Sequence, residues 1–237
     1  MTSSVGRNSL IMASGTAASR ISGQIRTILL AAAMGTTGIA ANAYQAGSMI
    51  PQVVFTLVSG GIFNAVLVPQ IVRTLREKDA QNRLNKLITF AIVLLLGVTL
   101  LMTVSTPLLT RLYANGGGPD MIALTNAFTL WCMPQVFFYG LYTVLGPILA
   151  AKNHFGMYAW SPVGANLISC AGFTAFTVLF GKANEQPLSF WTTGRIALTA
   201  GTWTLGEGFQ ALILSLQRLH LGIRPRPNGA SRGIGRG

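Results

Sequence analysis

The chain has 237 residues, of which 51% are hydrophobic and only 9% are charged. Because soluble domains carry a charge on about a quarter of their residues, this composition excludes an ordinary soluble domain and indicates an integral membrane protein. The net charge of +12 would suit a nucleic-acid-binding protein, but the basic residues lie between apolar segments rather than in one soluble patch, which argues against a nucleic-acid partner.

Six apolar segments are long enough to cross a bilayer as helices. In chain order they are residues 9–34, 39–72, 87–110, 121–151, 155–181 and 196–217. A tight glycine-bounded break at residues 35–38 separates the first two, and a polar connector, residues 73–86, follows the second. We therefore predict an all-α membrane lobe over residues 1–217. Residues 218–237 form a basic stretch, either a cytoplasmic tail or a truncated linker to further spans.

The first segment carries two arginines, Arg20 and Arg26, at membrane depth. Each arginine at the centre of a membrane helix costs about 2.5–3.5 kcal/mol on insertion scales, so the pair requires a reason. At 100° per residue, Arg26 shares the face around Ser19 with small and polar residues, and Arg20 lies at its edge. Those small and polar residues are Gly15, Thr16, Ser22 and Gly23. The pattern favours a cationic cavity for an anionic substrate; the alternative is a pair satisfied by carbonyls or by snorkelling.

The distribution of basic residues predicts the orientation of the spans. With a cytoplasmic N-terminus, twelve basic residues lie in cytoplasmic segments and three, Arg111, Lys182 and Arg195, lie outside. Cytoplasmic loops of membrane proteins carry an excess of Lys and Arg. We therefore expect a multi-pass protein of the cell membrane with both termini of this chain in the cytoplasm.

Several residues within the predicted spans have either a functional or a purely structural interpretation. Pro51 and Pro162 either kink helices of a transporter that rocks between states or reflect the proline content of membrane helices in general. Asn166 is expected to pack between helices. Glu207 is the one acid predicted within a span. It is either a functional group, for proton coupling or as a counter-ion for an arginine, or a structural residue that packs with hydrogen bonds or lies near the interface.

The pattern of residues supports neither a metal site nor a catalytic site. The two cysteines, Cys132 and Cys170, lie inside predicted spans, and the two histidines, His154 and His220, have no acid or cysteine nearby at ligand spacing. We expect no metal and no cofactor. No nucleophile lies beside a base in the sequence, so a membrane transporter is favoured over an enzyme.

Short motifs follow one another in a defined order along the chain. They are Ser19-Arg20-Ile21-x-Gly23-x-x-Arg26, MIPQ at 49–52, GGIF at 60–63, VPQI at 68–71, AKNHF at 151–155, Pro162-x-x-x-Asn166, and the pair Gly206 and Gln210. Together these motifs resemble the MurJ/MviN family of lipid II flippases in the MOP exporter superfamily. The similarity covers essentially the whole chain and corresponds to the N-terminal half of such a protein.

The resemblance implies a MATE-like MOP transporter fold in which about six transmembrane helices form one lobe. It implies transport of lipid II, the undecaprenyl-pyrophosphate-linked peptidoglycan precursor, from the inner to the outer leaflet by alternating access, for cell-wall synthesis and cell shape. Arg20, Arg26 and Ser19 would line a cationic cavity for the pyrophosphate, because guanidinium donates bidentately to phosphate oxygens. Asn42 is a candidate for the cavity or its gate, and Gln210 for helix packing. Glu207 is a further candidate for the cavity or its gate because of its place within a span, not because of the resemblance. A second lobe and membrane lipids are the expected partners.

The chain also departs from the family pattern. Family members often have an Asp where Asn42 aligns, and some have a basic pair where Phe55 and Thr56 stand, so salt bridges that use those charges cannot form here. Two alternatives therefore stay open. One is a truncated, non-transporting membrane remnant or scaffold subunit; the other is a different MOP-type exporter of lipid-linked oligosaccharide.

Overall fold

A computed structural model describes residues 2–77, 80–184 and 186–223, with side chains described from residue 6 onwards. Within these ranges every regular element is helical, which confirms the all-α prediction. The α-helices are α1 (Thr2–Met34), α2 (Ile39–Val58), α3 (Val68–Thr74), α4 (Ala80–Val104), α5 (Thr106–Tyr113), α6 (Pro119–Cys132), α7 (Gln135–Ala151), α8 (Phe155–Phe180), α9 (Thr193–Ile196) and α10 (Thr202–His220). Between them lie two π-helical stretches, Ser59–Leu67 and Ala197–Gly201, and a 3₁₀ turn, Leu188–Phe190.

Four helical segments are long and apolar enough to cross a membrane by length and composition: Ile39–Thr74, Ala80–Val104, Pro119–Ala151 and Phe155–Phe180. They correspond to the second to fifth predicted spans and confirm a membrane protein. Helices α1 and α10, of 33 and 19 residues, are long enough but not apolar enough by the same measure. Both carry charged residues along their length, Arg20 and Arg26 in α1 and Glu207 and Arg218 in α10. The total of six spans therefore stays a prediction.

Two of the predicted spans are each divided into two helices. Residues 87–110 become α4 and α5, with the division at Ser105 shortly before Pro107, and residues 121–151 become α6 and α7, divided at Met133 and Pro134. Proline has no N–H to donate, so a helix readily begins at it and rarely runs through it. Helices α2 and α8 nevertheless continue through Pro51 and Pro162.

The connectors differ in part from the sequence-based expectation. The break at residues 35–38 is present, and Gly35 and Gly38 adopt φ angles of +80° and +101°, a region where a side chain would be strained. The polar connector after α3 is shorter than predicted, because α4 begins at Ala80 and its first turns are polar. Helix α10 continues to His220 and Ile223 is fully buried, so residues 218–223 belong to the packed lobe. Residues 224–237 of the predicted tail lie outside the described residues.

Helix α8 is central to the packing of the lobe. Helix α1 lies along one side of α8 and α10 along another, while α2 packs against α6 and α7 packs against α4 and α10. One apolar cluster joins α3, α4, α7 and α10, and a second joins α1, α2, α6 and α8. Helices α1 and α10, which carry the charged intramembrane residues, are thus held on the same helix.

Candidate functional site

The small, polar face of α1 packs against α8. A Cβ atom placed on Gly15 would lie 2.7 Å from both the Cβ and the carbonyl oxygen of Ala159, so only glycine permits this approach. Further along, the Asn166 side chain donates hydrogen bonds to the Ser19 carbonyl oxygen and to Ser22 Oγ, both at 3.0 Å. Part of the face that the helical wheel defines around Ser19 therefore meets another helix instead of a cavity.

Arg26 lies beyond that contact and lines a cavity of about 370 Å³ among α1, α2, α7 and α10. Its walls combine charged, polar and aromatic side chains from all four helices. They are Arg26, Gln52, Phe55, Thr56, Tyr139, Trp203 and Glu207. The structure therefore brings together Arg26 and Glu207, two of the residues singled out in the sequence, although 181 positions separate them.

The guanidinium of Arg26 rests on an aromatic ring. Its Cζ atom lies 4.4 Å from the centroid of the Trp203 ring, and the Tyr44 ring stacks against the same indole with a centroid separation of 6.0 Å and an interplanar angle of 18°. Arg26 has neither a hydrogen bond nor an ion pair with any residue in the described ranges, including Glu207. A cation–π contact fixes the position of the charge and leaves the N–H donors available to a ligand.

A partly buried chain of hydrogen bonds lies beside the cavity, at the start of α7. The Tyr139 hydroxyl donates to Gln135 Oε1 at 3.0 Å, and Gln135 Nε2 donates to Thr204 Oγ1 at 2.9 Å. Thr204 in turn donates to the Trp131 carbonyl oxygen at 2.7 Å, one residue before the end of α6. Because Gln135 is fully buried, this chain satisfies its amide and ties the break between α6 and α7 to α10.

Comparison with known proteins gives a consistent result. The sequence model of the family described as "Lipid II flippase MurJ" matches residues 30–236. The chain belongs to the MurJ family. A "Probable lipid II flippase MurJ" of Rhizobium tropici is 27% identical over 218 residues, and one of Rickettsia prowazekii is 25% identical over 187 residues. These alignments cover 88% and 77% of this chain.

The chain is shorter than these MurJ relatives. It spans 38% of the length of the Rhizobium tropici protein and 36% of the Rickettsia prowazekii protein. A "Probable lipid II flippase MurJ" of Buchnera aphidicola is 26% identical over 163 residues, which cover 67% of this chain and 32% of that protein. The family assignment confirms the resemblance read from the motifs.

The remaining predicted site residues lie away from the Arg26 cavity. Arg20 is exposed on α1, without a hydrogen bond or ion pair to any described residue, and Asn42 is exposed in the first turn of α2. Ser19 is half-buried against α8, where Asn166 is buried. Pro51 and Gln210 are buried in α2 and α10, and Pro162 is half-buried in α8. Their roles in a MurJ protein stay predictions.

The aromatic residues that line this cavity were not singled out from the sequence. Trp203 precedes Glu207 by four residues, so a helix places the two side chains on one face. That spacing was available in the sequence and would have drawn attention to Trp203. Gln135 and Tyr139 have the same four-residue spacing, but the partner that ties them to α10, Thr204, lies 69 positions from Gln135.

Proposed function

We propose that the chain forms one lobe of a lipid II flippase and that the Arg26 cavity receives the pyrophosphate of the lipid-linked peptidoglycan precursor. The membership of the MurJ family supports the class of substrate. The observation that carries the assignment of the site is the Arg26 guanidinium, which lines a cavity with its donors unpaired among the described residues. A buried or half-buried arginine without a partner is costly unless an anion completes it.

The chemistry of the cavity suits a phosphate ester. Guanidinium keeps its charge at any physiological pH and offers a planar fork of donors that matches two phosphate oxygens. Gln52, Thr56 and Tyr139 add neutral polar groups to the same walls. Glu207 also lines the cavity, and its carboxylate repels an anion. This repulsion weakens the binding of phosphate to Arg26 and so allows the phosphate to be released.

We further propose that Arg20 faces the second lobe of the transporter. Arg20 is exposed on α1, on the side left free by the contact with α8. A membrane-level arginine on an uncovered surface would be unfavourable, and a facing lobe would remove it from lipid. Ser19 acts through its backbone carbonyl, which accepts a hydrogen bond from Asn166 and so holds α1 against α8. We also propose that both termini of this chain lie on the cytoplasmic side, where the basic residues are concentrated.

The division of spans supports movement between two states. The breaks at Ser105 and Met133 to Pro134, with the π-helical stretches Ser59–Leu67 and Ala197–Gly201, give the lobe several points where helical hydrogen bonding changes. Such irregular helices recur at functional sites and in transporters that use alternating access. The second π-helical stretch leads directly into α10, which carries Trp203 and Glu207.

The test is a flipping assay on the natural protein that carries this sequence, in cells depleted of their own lipid II flippase. We compare Arg26→Ala and Arg26→Lys with Arg111→Ala, an exposed arginine on α5 that lines no part of this cavity. We expect Arg26→Ala to lower lipid II translocation at least tenfold, Arg26→Lys to restore part of it, and Arg111→Ala to behave like the wild type. Undiminished translocation by Arg26→Ala, at equal amounts in the membrane, would overturn the assignment.

A further inference from the structure

Arg218, in the last turn of α10, is a buried arginine with no partner among the described residues. It is only 7% exposed, and its Nε and Nη1 atoms are sealed from solvent without a hydrogen-bond acceptor in the ranges that the structure describes. The third nitrogen, Nη2, is not among the sealed atoms and so has access to the surface. Fully buried arginines are almost always paired, because removing the charge from water without an acceptor is unfavourable.

Each carboxylate in the described part of the chain is accounted for elsewhere. Glu77 accepts two hydrogen bonds from Arg83 Nη1, at 3.0 and 3.2 Å. Glu207 precedes Arg218 by 11 residues on the same helix, which separates them by about 16 Å along the axis. Asp120 lies in the first turn of α6, which is not one of the helices that meet at the end of α10. None of the three described carboxylates therefore serves as an acceptor for Arg218.

Several helix ends meet around Arg218. A Cβ atom on Gly222 would lie 3.3 Å from Gln81 Nε2, which places the end of α10 beside the start of α4. Gln217 Nε2 lies 2.8 Å from His154 Nδ1, so the connector between α7 and α8 is adjacent. That connector also meets the start of α1 around a shared cavity. All these termini therefore lie at one end of the lobe.

This end of the lobe is strongly basic. Besides Arg218, the helix ends and connectors gathered there carry Arg7, Arg73, Arg76, Arg83, Lys86 and Lys152. Among the described residues Glu77 is their one acidic neighbour, and it is already paired with Arg83. A concentration of positive charge at the end of a membrane lobe attracts anionic groups from the membrane surface.

We propose that Arg218 binds a phosphate group, supplied by the headgroup of an anionic phospholipid or by free phosphate. The guanidinium supplies the donors, with Nη2 as the point of first contact, and the surrounding basic residues raise the local concentration of anions. The site is separate from the Arg26 cavity, because Arg218 follows Trp203 by 15 residues on α10, or about 22 Å along the helix. A bound phosphate would anchor the helix that carries Trp203 and Glu207.

The test compares wild type, Arg218→Met, Arg218→Gln and the control Arg83→Met in the purified natural protein. Arg83 belongs to the same basic end but is half exposed and paired. The midpoint of thermal unfolding is measured in detergent with added phosphatidylglycerol, phosphatidylcholine or inorganic phosphate. We expect phosphatidylglycerol to raise the midpoint of wild type and Arg83→Met by about 2–4 °C relative to phosphatidylcholine, and to leave both Arg218 variants unchanged.

The two sources of phosphate give different results. An Arg218-dependent shift with phosphatidylglycerol alone identifies the lipid headgroup, and an equal Arg218-dependent shift with inorganic phosphate shows that the free anion is sufficient. Native mass spectrometry of the wild type provides a readout that needs no variant, with phosphatidylglycerol retained in preference to phosphatidylcholine. The proposal is overturned if Arg218 variants and wild type respond equally, or if the wild type neither shifts nor retains the anionic lipid.

Discussion

The guanidinium of Arg26 lies 4.4 Å from the centre of the Trp203 ring, and this contact joins α1 to α10 across the candidate cavity. Trp203 is 7% exposed and also stacks with Tyr44 from α2. Three helices thus hold one positive charge in place without using its hydrogen-bond donors. A salt bridge to Glu207 would have held the same charge at the cost of occupying the donors that a phosphate needs.

Removing the aromatic ring beneath Arg26 should impair transport. A desolvated cation–π contact contributes about 2 kcal/mol, so we expect Trp203→Leu to weaken phosphate binding by at least tenfold, while Trp203→Phe retains most of it. The measurement is the affinity for lipid II together with its rate of translocation. Trp160→Leu is the matched control, because Trp160 is exposed on α8 and is not part of the cavity. Equal affinity in Trp203→Leu and wild type would show that the ring does not position Arg26.

A side chain at Gly15 should separate α1 from α8. The added Cβ atom would approach Ala159 to 2.7 Å at two atoms, one of them a backbone oxygen that cannot move aside alone. We expect Gly15→Ala to lower the free energy of unfolding by about 1–3 kcal/mol through overpacking. Gly6→Ala on the same helix is the control, since nothing lies within 4 Å of a Cβ there. Thermal unfolding in detergent measures both, and equal midpoints for the two variants would contradict the close contact.

Neutralising Glu207 should strengthen anion binding. Glu207 and Arg26 line the same cavity and form no ion pair within 4 Å, so the carboxylate acts on a bound phosphate mainly by repulsion. We expect Glu207→Gln to raise the affinity for lipid II severalfold and to leave the requirement for Arg26 intact in the double variant. An unchanged or lower affinity would favour a direct role of Glu207 in holding the substrate.

Much of the lobe was foreseeable from the sequence because membrane helices obey local rules. The hydrophobic segments, the glycine turn at residues 35–38 and the membrane-level Arg26 all follow from length, hydropathy and backbone freedom. Angular periodicity likewise predicts which residues share a face of α1. It does not say what that face meets, and α8 occupies most of it through Gly15 and Asn166, so Arg26 enters the cavity while Arg20 stays outside.

Other features depend on contacts that no local pattern records. The hydrogen bond between Gln135 and Thr204 joins residues 69 positions apart, and the cation–π contact joins Arg26 to Trp203 across most of the chain. The burial of Arg218 was equally hidden, because its place in the sequence is that of an ordinary basic residue after a span. Only the packing of α10 against its neighbours distinguishes it from the exposed arginines.

The most direct measurement of phosphate binding in the Arg26 cavity is site-specific photo-crosslinking in the natural protein. A photoreactive amino acid at Gln52, in the cavity wall, is compared with one at Val93, which is 63% exposed on α4 and does not line the cavity. We predict that lipid II crosslinks at position 52 and not at position 93, and that Arg26→Ala abolishes the crosslink. Crosslinking at position 52 that persists in Arg26→Ala, or that is no stronger than at position 93, would contradict binding of the substrate by Arg26.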